Sequence, residues 1–159
     1  MSSRKRKTRQ LAMQVLYLWD CQQQADRALG AQAVADGSDE AKIREEALQM
    51  AWDAWEFHAA ADEWVTRLAP HWPVGRQAAV DRAILRLSVW EMTHTTTPPK
   101  VVIDEAIEMG KEYSTENSPG FLNGVLDSVL KEHRDLTGHK SADPVALPTD
   151  LPAPKPTEG

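Results

Sequence analysis

The chain has 159 residues, enough for one domain with a substantial core. Its composition excludes a sheet protein: Ala, Leu, Glu, Gln, Lys and Arg dominate, there are two Phe and two Tyr, and no stretch alternates apolar with polar residues. The net charge is −6, yet residues 4–9, RKRKTR, hold five cations, so the rest of the chain carries −11. The one cysteine, Cys21, excludes an internal disulfide and a cysteine-based zinc cluster and reads as a small boundary residue. No apolar run approaches the length of a membrane span and nothing resembles a secretory signal, so a cytoplasmic protein with no membrane partner is expected.

Taken in order, the chain reads as a series of helices. After Ser2 and Ser3 the cluster Arg4, Lys5, Arg6, Lys7 and Arg9 runs directly into the apolar face of Leu11, Val15 and Leu18. A first helix over about residues 5–24 follows, with its cations at the end where the helix dipole disfavours them. A bound polyanion would account for that placement, and continuity with the helix would hold the cations at fixed positions. Residues 25–38 fit a loop or short helix. Ser38 or Asp39 can cap a long helix, with Asp39 and Glu40 in its first turn. In that helix Leu48, Trp52, Trp55 and Ala59 form one apolar row and Trp64, Val65 and Leu68 a second, and the phase shift predicts a bend or a change of packing partner near residues 58–62. Three tryptophans at helical spacing read as core. Pro70 and Pro73 end the helix and Gly75 turns the chain back.

Val80, Ile84, Leu87 and the Trp90/Glu91 pair, widened by Leu85, Val89 and Met92, give a helix that is apolar over most of its circumference. It is expected near residues 78–95, wrapped by neighbours on several sides. Arg82 and Arg86, four apart on it, read as partners for acids such as Glu91, and Trp90 as core. Pro98 forces a break. The next helix would turn Val102, Ile103, Ala106, Ile107 and Gly110 inward and Asp104, Glu105, Glu108, Lys111 and Glu112 outward. Ser118 and Pro119 begin a last helix lined by Phe121, Leu122, Val125, Leu126, Val129 and Leu130. Gly120 and Gly124, four apart, suggest close helix–helix approach, and Asn123 a satisfied buried amide. The domain is expected to span residues 1–135, followed by a disordered proline-rich tail over 136–159.

No enzyme signature is present: no phosphate loop with its lysine, no nucleophile elbow, no HExxH. The five histidines are scattered, with no metal-ligand spacing, and adjacent carboxylates such as Asp104/Glu105 point to different helix faces. The residues alone therefore imply an all-α binding protein with a basic nucleic-acid arm, no catalytic residues, no cofactor and no metal.

The runs AVDRAILRLSVWEM, KVVIDEAIEMGKEYS and SPGFLNGVLDSVL, preceded by RKRKTRQLAMQVLY, resemble the NusB family of transcription antitermination factors over residues 4–133. The resemblance implies an all-α fold of about seven helices in two small packed bundles, and non-catalytic work. That work is binding the single-stranded boxA element of ribosomal RNA transcripts together with NusE, also a small-subunit ribosomal protein. The pair joins RNA polymerase and other Nus factors and suppresses premature termination. Carried over by position, Lys5, Arg6, Lys7 and Arg9, with Arg4 beside them, would contact RNA, and Tyr17 and Lys100 would join them. Asp81 and Phe121 match positions near the NusE contact. Asn117 stands where some relatives carry an acid, which removes a salt bridge. The arm's lysines depart from an all-arginine pattern and lack arginine's planar, two-pronged phosphate contact.

Such an arm would release condensed counterions, and the acidic body would repel a polyanion everywhere else. Replacing Arg6, Lys7 and Arg9 by Ala should then remove RNA binding but leave helicity and NusE association intact. Two alternatives share the fold: an adaptor acting through protein partners alone, and the accessory helical domain of certain ribosomal RNA methyltransferases. Against the second, no strand–glycine-loop pattern for S-adenosylmethionine appears.

Overall fold

A computed structural model describes residues 3–137. Of the tail expected over 136–159, residues 136 and 137 belong to the last helix, and residues from 138 onward lie outside the described residues. The elements are α1 (Ser3–Gln22), α2 (Arg27–Gly37), α3 (Ala41–Leu68), a 3₁₀ turn (Val74–Arg76), α4 (Ala79–His94), α5 (Pro99–Tyr113) and α6 (Ser118–Thr137). The expected all-α fold is present, with six α-helices and one 3₁₀ turn among the described residues.

The central helix is α4. Every residue from Ala83 to Val89 is buried, because α1 and α3 cover it from one side and α5 and α6 from the other. Two small bundles therefore share one helix: α1 and α3 against α4, with α2 packed on α1 and α3, and α5 and α6 against α4. The largest fully buried side chains come from both halves, among them Trp19, Met13 and Leu16 of α1, Ile84 and Leu87 of α4, and Leu122 and Leu126 of α6.

Local chemistry sets the boundaries. Residues 25–38 hold a true helix, since the Asp26 carboxylate accepts the Leu29 N–H at its N-terminus. α1 ends as Gln24 N–H reaches the Trp19 carbonyl at 3.1 Å and Gln23 N–H reaches the Asp20 carbonyl at 3.2 Å. This closure places Gln23 at φ 60°, the left-handed region. Ser38 lies outside α3, with its hydroxyl accepting the Glu40 N–H, so Asp39 and Glu40 precede the helix rather than forming its first turn.

No break interrupts α3 over its 28 residues, and the change of packing partner expected near residues 58–62 is present: Trp52 and Trp55 meet Trp19 of α1, whereas Trp64 and Arg67 reach Glu132 of α6. The inward stripe is Ile43, Ala47, Ala51, Ala54, Ala61 and Val65, and Trp64 is buried beside it as core. The tryptophan row had suggested another phase, but Trp52 and Trp55 are half-buried and Ala59 is exposed. Their rings instead meet Trp19 edge-on at 6.0 and 5.9 Å. Small residues on the inner face let α3 lie close to α1 and α4.

Gly120 and Gly124 do not mediate close packing, because a Cβ on either would meet open space. The close approach occurs at Gly110, where a Cβ would come within 2.7 Å of Leu122 Cδ1. Asn123 is exposed rather than a buried amide. Among the described residues no helix is long and apolar enough to cross a membrane.

Candidate nucleic-acid and partner interfaces

The five cations of the arm do not form one patch. At about 100° per residue they splay around α1, and acids of three other helices receive three of them. Arg4 Nη2 lies 3.6 Å from Glu46 of α3, with both side chains exposed to water. Arg6 turns toward α5 and grips Glu105 with both prongs, Nε to Oε1 at 3.0 Å and Nη2 to Oε2 at 2.9 Å. The Glu105 hydrogen bond and charge raise the Arg6 pKa further, against an opposing effect of desolvation, and the carboxylates of Glu108 and Glu112 add to the rise.

Arg9 points inward. It is 2% exposed and donates to Glu91 of α4 through Nε at 2.8 Å and Nη2 at 2.5 Å. This corrects the expectation that Arg9 touches RNA: its guanidinium is enclosed in the core and satisfies a carboxylate that would otherwise be buried alone. Lys5 and Lys7 are exposed beside Arg6. α1 is thus pinned along its cationic turns, and the arm is an integral part of the folded body.

Lys100 stands exposed in the first turn of α5, with Asp104 at 3.8 Å. It lies five residues before Glu105, about 7.5 Å along the axis and about 140° around it, on a different side of α5 from the acid that holds Arg6. Tyr17 is 37% exposed and follows Arg6 by eleven residues, close to three turns, on the same side of α1 and about 16 Å away. Glu105 was expected to face solvent and is instead 5% exposed; a buried acid beneath an arginine was not foreseen.

Asp81, Asn117 and Phe121 assemble at the other end of α4. Asp81 is buried, accepting hydrogen bonds from Ser114 Oγ at 2.7 Å and Ser118 Oγ at 3.0 Å. It therefore fixes the α5–α6 turn from beneath rather than reaching a partner directly. Asn117 is exposed on that turn. Phe121 is half-buried, 6.1 Å from the ring of Trp72, which is 51% exposed. Leu68, Ala69, Pro70, Gly120, Gly124 and Val125 join these two rings around a mostly apolar groove. Trp72 was missed by sequence reasoning, although an aromatic residue in a proline-flanked turn, Pro70-His71-Trp72-Pro73, was the available signal.

Between the two ends a buried ionic network locks α1, α3 and α4 together. Arg82 donates to Asp20 at 3.1 and 2.6 Å, and Arg86 bridges Asp20 at 3.0 Å and Asp62 at 2.9 and 2.7 Å. Burial pushes the Asp20 carboxyl up, but the two guanidiniums outweigh it and hold Asp20 below the usual carboxylate range. Both arginines pair with acids, as their spacing suggested, though the acids are Asp20 and Asp62 and not Glu91.

Residues 6–131 match the model of the NusB family. The transcription antitermination protein NusB of Solibacter usitatus (strain Ellin6076) is 43% identical over 134 residues, covering 83% of this chain and 91% of that protein. The protein of the same name from Roseiflexus sp. (strain RS-1) is 33% identical over 142 residues, covering 85% and 97%. Among solved structures, NusB of T. maritima superposes with a TM-score of 0.72 at 32% identity, covering 83% of this chain and 94% of that one. A chain from a crystal structure of the antitermination factors NusB and NusE in complex with double-stranded RNA gives 0.74 at 25% identity, covering 83% and 99%. A match over most of the length, carried by the helices that build both ends of α4, places this chain in the NusB family.

Proposed function

We propose that the protein is a non-catalytic transcription antitermination factor that binds the single-stranded boxA element of ribosomal RNA transcripts jointly with NusE. The observation that carries the reading is the pinned arm: Arg6 and Arg9 tie the cationic turns of α1 to α5 and α4. Lys5 and Lys7 are thereby presented at fixed positions on an otherwise acidic molecule. Lys100 and Tyr17 extend this surface as a further cation and an aromatic face. The related complex of NusB and NusE with double-stranded RNA supports NusE and RNA as partners.

NusE docks at the opposite end, on the groove around Trp72 and Phe121, beside the turn that Asp81 holds. Asn117 there offers an amide where an acid would offer a charge. RNA polymerase and other Nus factors are reached through the complex. A few exposed cations give modest affinity alone, and a second RNA-contacting protein raises it by linking two binding events, on the order of 10²-fold.

Filter binding of a boxA RNA at two salt concentrations, with and without NusE, tests this. Affinity should fall with added salt at a log–log slope of about −0.7 per phosphate neutralised and should rise when NusE is added. Salt-independent binding, or no effect of NusE, would sink the proposal.

A further inference from the structure

α1 and α5 flank an open hollow of about 450 Å³ lined by Arg6, Val101, Asp104, Glu105, Ile107 and Glu108. Its charge is wrong for a phosphate, since three carboxylates surround one guanidinium. Arg6 has already committed two donor nitrogens to Glu105. A phosphate taking that edge would strand a buried carboxylate without its counter-charge.

What Arg6 keeps available is different in kind. Its side chain is 50% exposed, and the fork to Glu105 leaves Nη1 and the flat faces of the guanidinium unused by that carboxylate. Val101 and Ile107 are half-buried and supply an apolar wall, while Asp104 and Glu108 stand exposed as oxygen acceptors at the rim. Each rim carboxylate has a lysine at one oxygen, Lys100 at 3.8 Å from Asp104 and Lys111 at 3.4 Å from Glu108, and keeps further lone pairs. A planar cation for stacking, an apolar wall and these acceptors suit an unstacked nucleobase that carries an exocyclic amino group.

We propose that this hollow is a nucleobase subsite, in which Glu105 holds Arg6 as a stacking surface and the carboxylate rim favours bases bearing an amino group. The inference rests on the RNA-binding reading above and divides its labour: exposed lysines hold phosphates, and Arg6 reads a base. Glu105 is a positioning residue here, acting through Arg6.

The test compares single-stranded oligo(C) with oligo(U) of equal length, since uracil lacks the amino group, on the full chain and on Glu105→Gln and Arg6→Lys. The wild type should prefer oligo(C) by about tenfold, the scale of one base contact. Glu105→Gln removes a negative charge, so oligo(U) should bind more tightly, with a salt slope steeper by up to about 0.7, while the preference for oligo(C) collapses. Arg6→Lys, which cannot form the fork, should lose the preference as well without that gain in oligo(U) affinity. Unchanged helicity and melting of both variants make the loss a property of the site. A wild type that binds boxA RNA without distinguishing the oligomers, or variants that both keep the full preference, would overturn the subsite alone. A wild type that binds no RNA overturns the functional reading and the subsite together.

Discussion

A single arginine shows how one letter can carry two opposite meanings. Arg9 belongs by sequence to the cationic run, yet it lies three and four residues before Ala12 and Met13, both buried, and so faces the core. Glu91 was the matching signal, an acid within a helix buried on nearly every side. Reading the two together would have paired them; counting charge alone could not. Arg9→Ala should therefore cost about 3–5 kcal/mol in urea unfolding, the scale of an orphaned buried charge. Arg6→Ala also leaves a buried carboxylate, Glu105, without its partner, but at the protein's edge where water can reach the vacated side, so it should cost less than Arg9→Ala. Equal losses would mean that Arg9 is not the buried anchor described.

His133 gives a pH dependence at the same scale. Its Nδ1 is buried without a hydrogen-bond partner, and burial, aided by the nearby His94, holds its pKa below the ordinary 6.5. The unfolded chain thus binds the proton more readily, so stability is lost as pH falls below about 6.5, toward the lower folded pKa. Asp20, held low by its arginines, adds loss only below about its ordinary 3.8. His133→Phe should flatten the melting-temperature profile between neutral pH and about pH 5. An unchanged slope there would remove His133 as its source.

Among elements, the helices themselves were legible, because apolar residues at 3.6-residue spacing and Pro98, Ser118 and Pro119 punctuate the chain. Their inner faces were less so. In α3 the tryptophans drew attention to a row that skirts the core, while alanines fill the inward stripe; bulk is a poor guide where two helices must come close. Glycines misled for the same reason, since sequence spacing does not say what lies opposite. A Cβ at Gly30 would meet Trp19 Cζ2 at 3.0 Å and Leu48 Cδ1 at 2.8 Å. Gly30→Ala should destabilise by about 1–3 kcal/mol through overpacking, outweighing the helix-propensity gain of about 1 kcal/mol. Gly124→Ala, facing open space, should stabilise by up to about 1 kcal/mol and weaken NusE binding by filling the groove. Thermal unfolding and a pull-down with NusE check the pair, and the same sign of stability change at both positions would contradict the packing described.

At the level of the whole molecule, α4 separates two surfaces. Ten residues, about 15 Å of helix, lie between Asp81 at the partner end and Glu91 beneath the cationic turns. The charge asymmetry that pointed to a polyanion was visible in the sequence; that Arg4, Arg6 and Arg9 are engaged by the protein's own acids was not, because Glu46, Glu91 and Glu105 lie far along the chain. Their engagement ties the arm to three other helices, while Lys5 and Lys7 stay exposed to water.

The most direct measurement is therefore the salt-dependent affinity of a boxA RNA for the wild type and for Lys5→Ala/Arg6→Ala/Lys7→Ala, with Arg9 left in place to preserve the fold. The variant should keep its helicity and NusE association, lose RNA affinity by about a hundredfold or more, and show a log–log slope shallower by about 0.7 for each phosphate contact removed. Wild-type affinity and slope in a folded triple variant would contradict the claim that this pinned cationic turn is where the transcript is held.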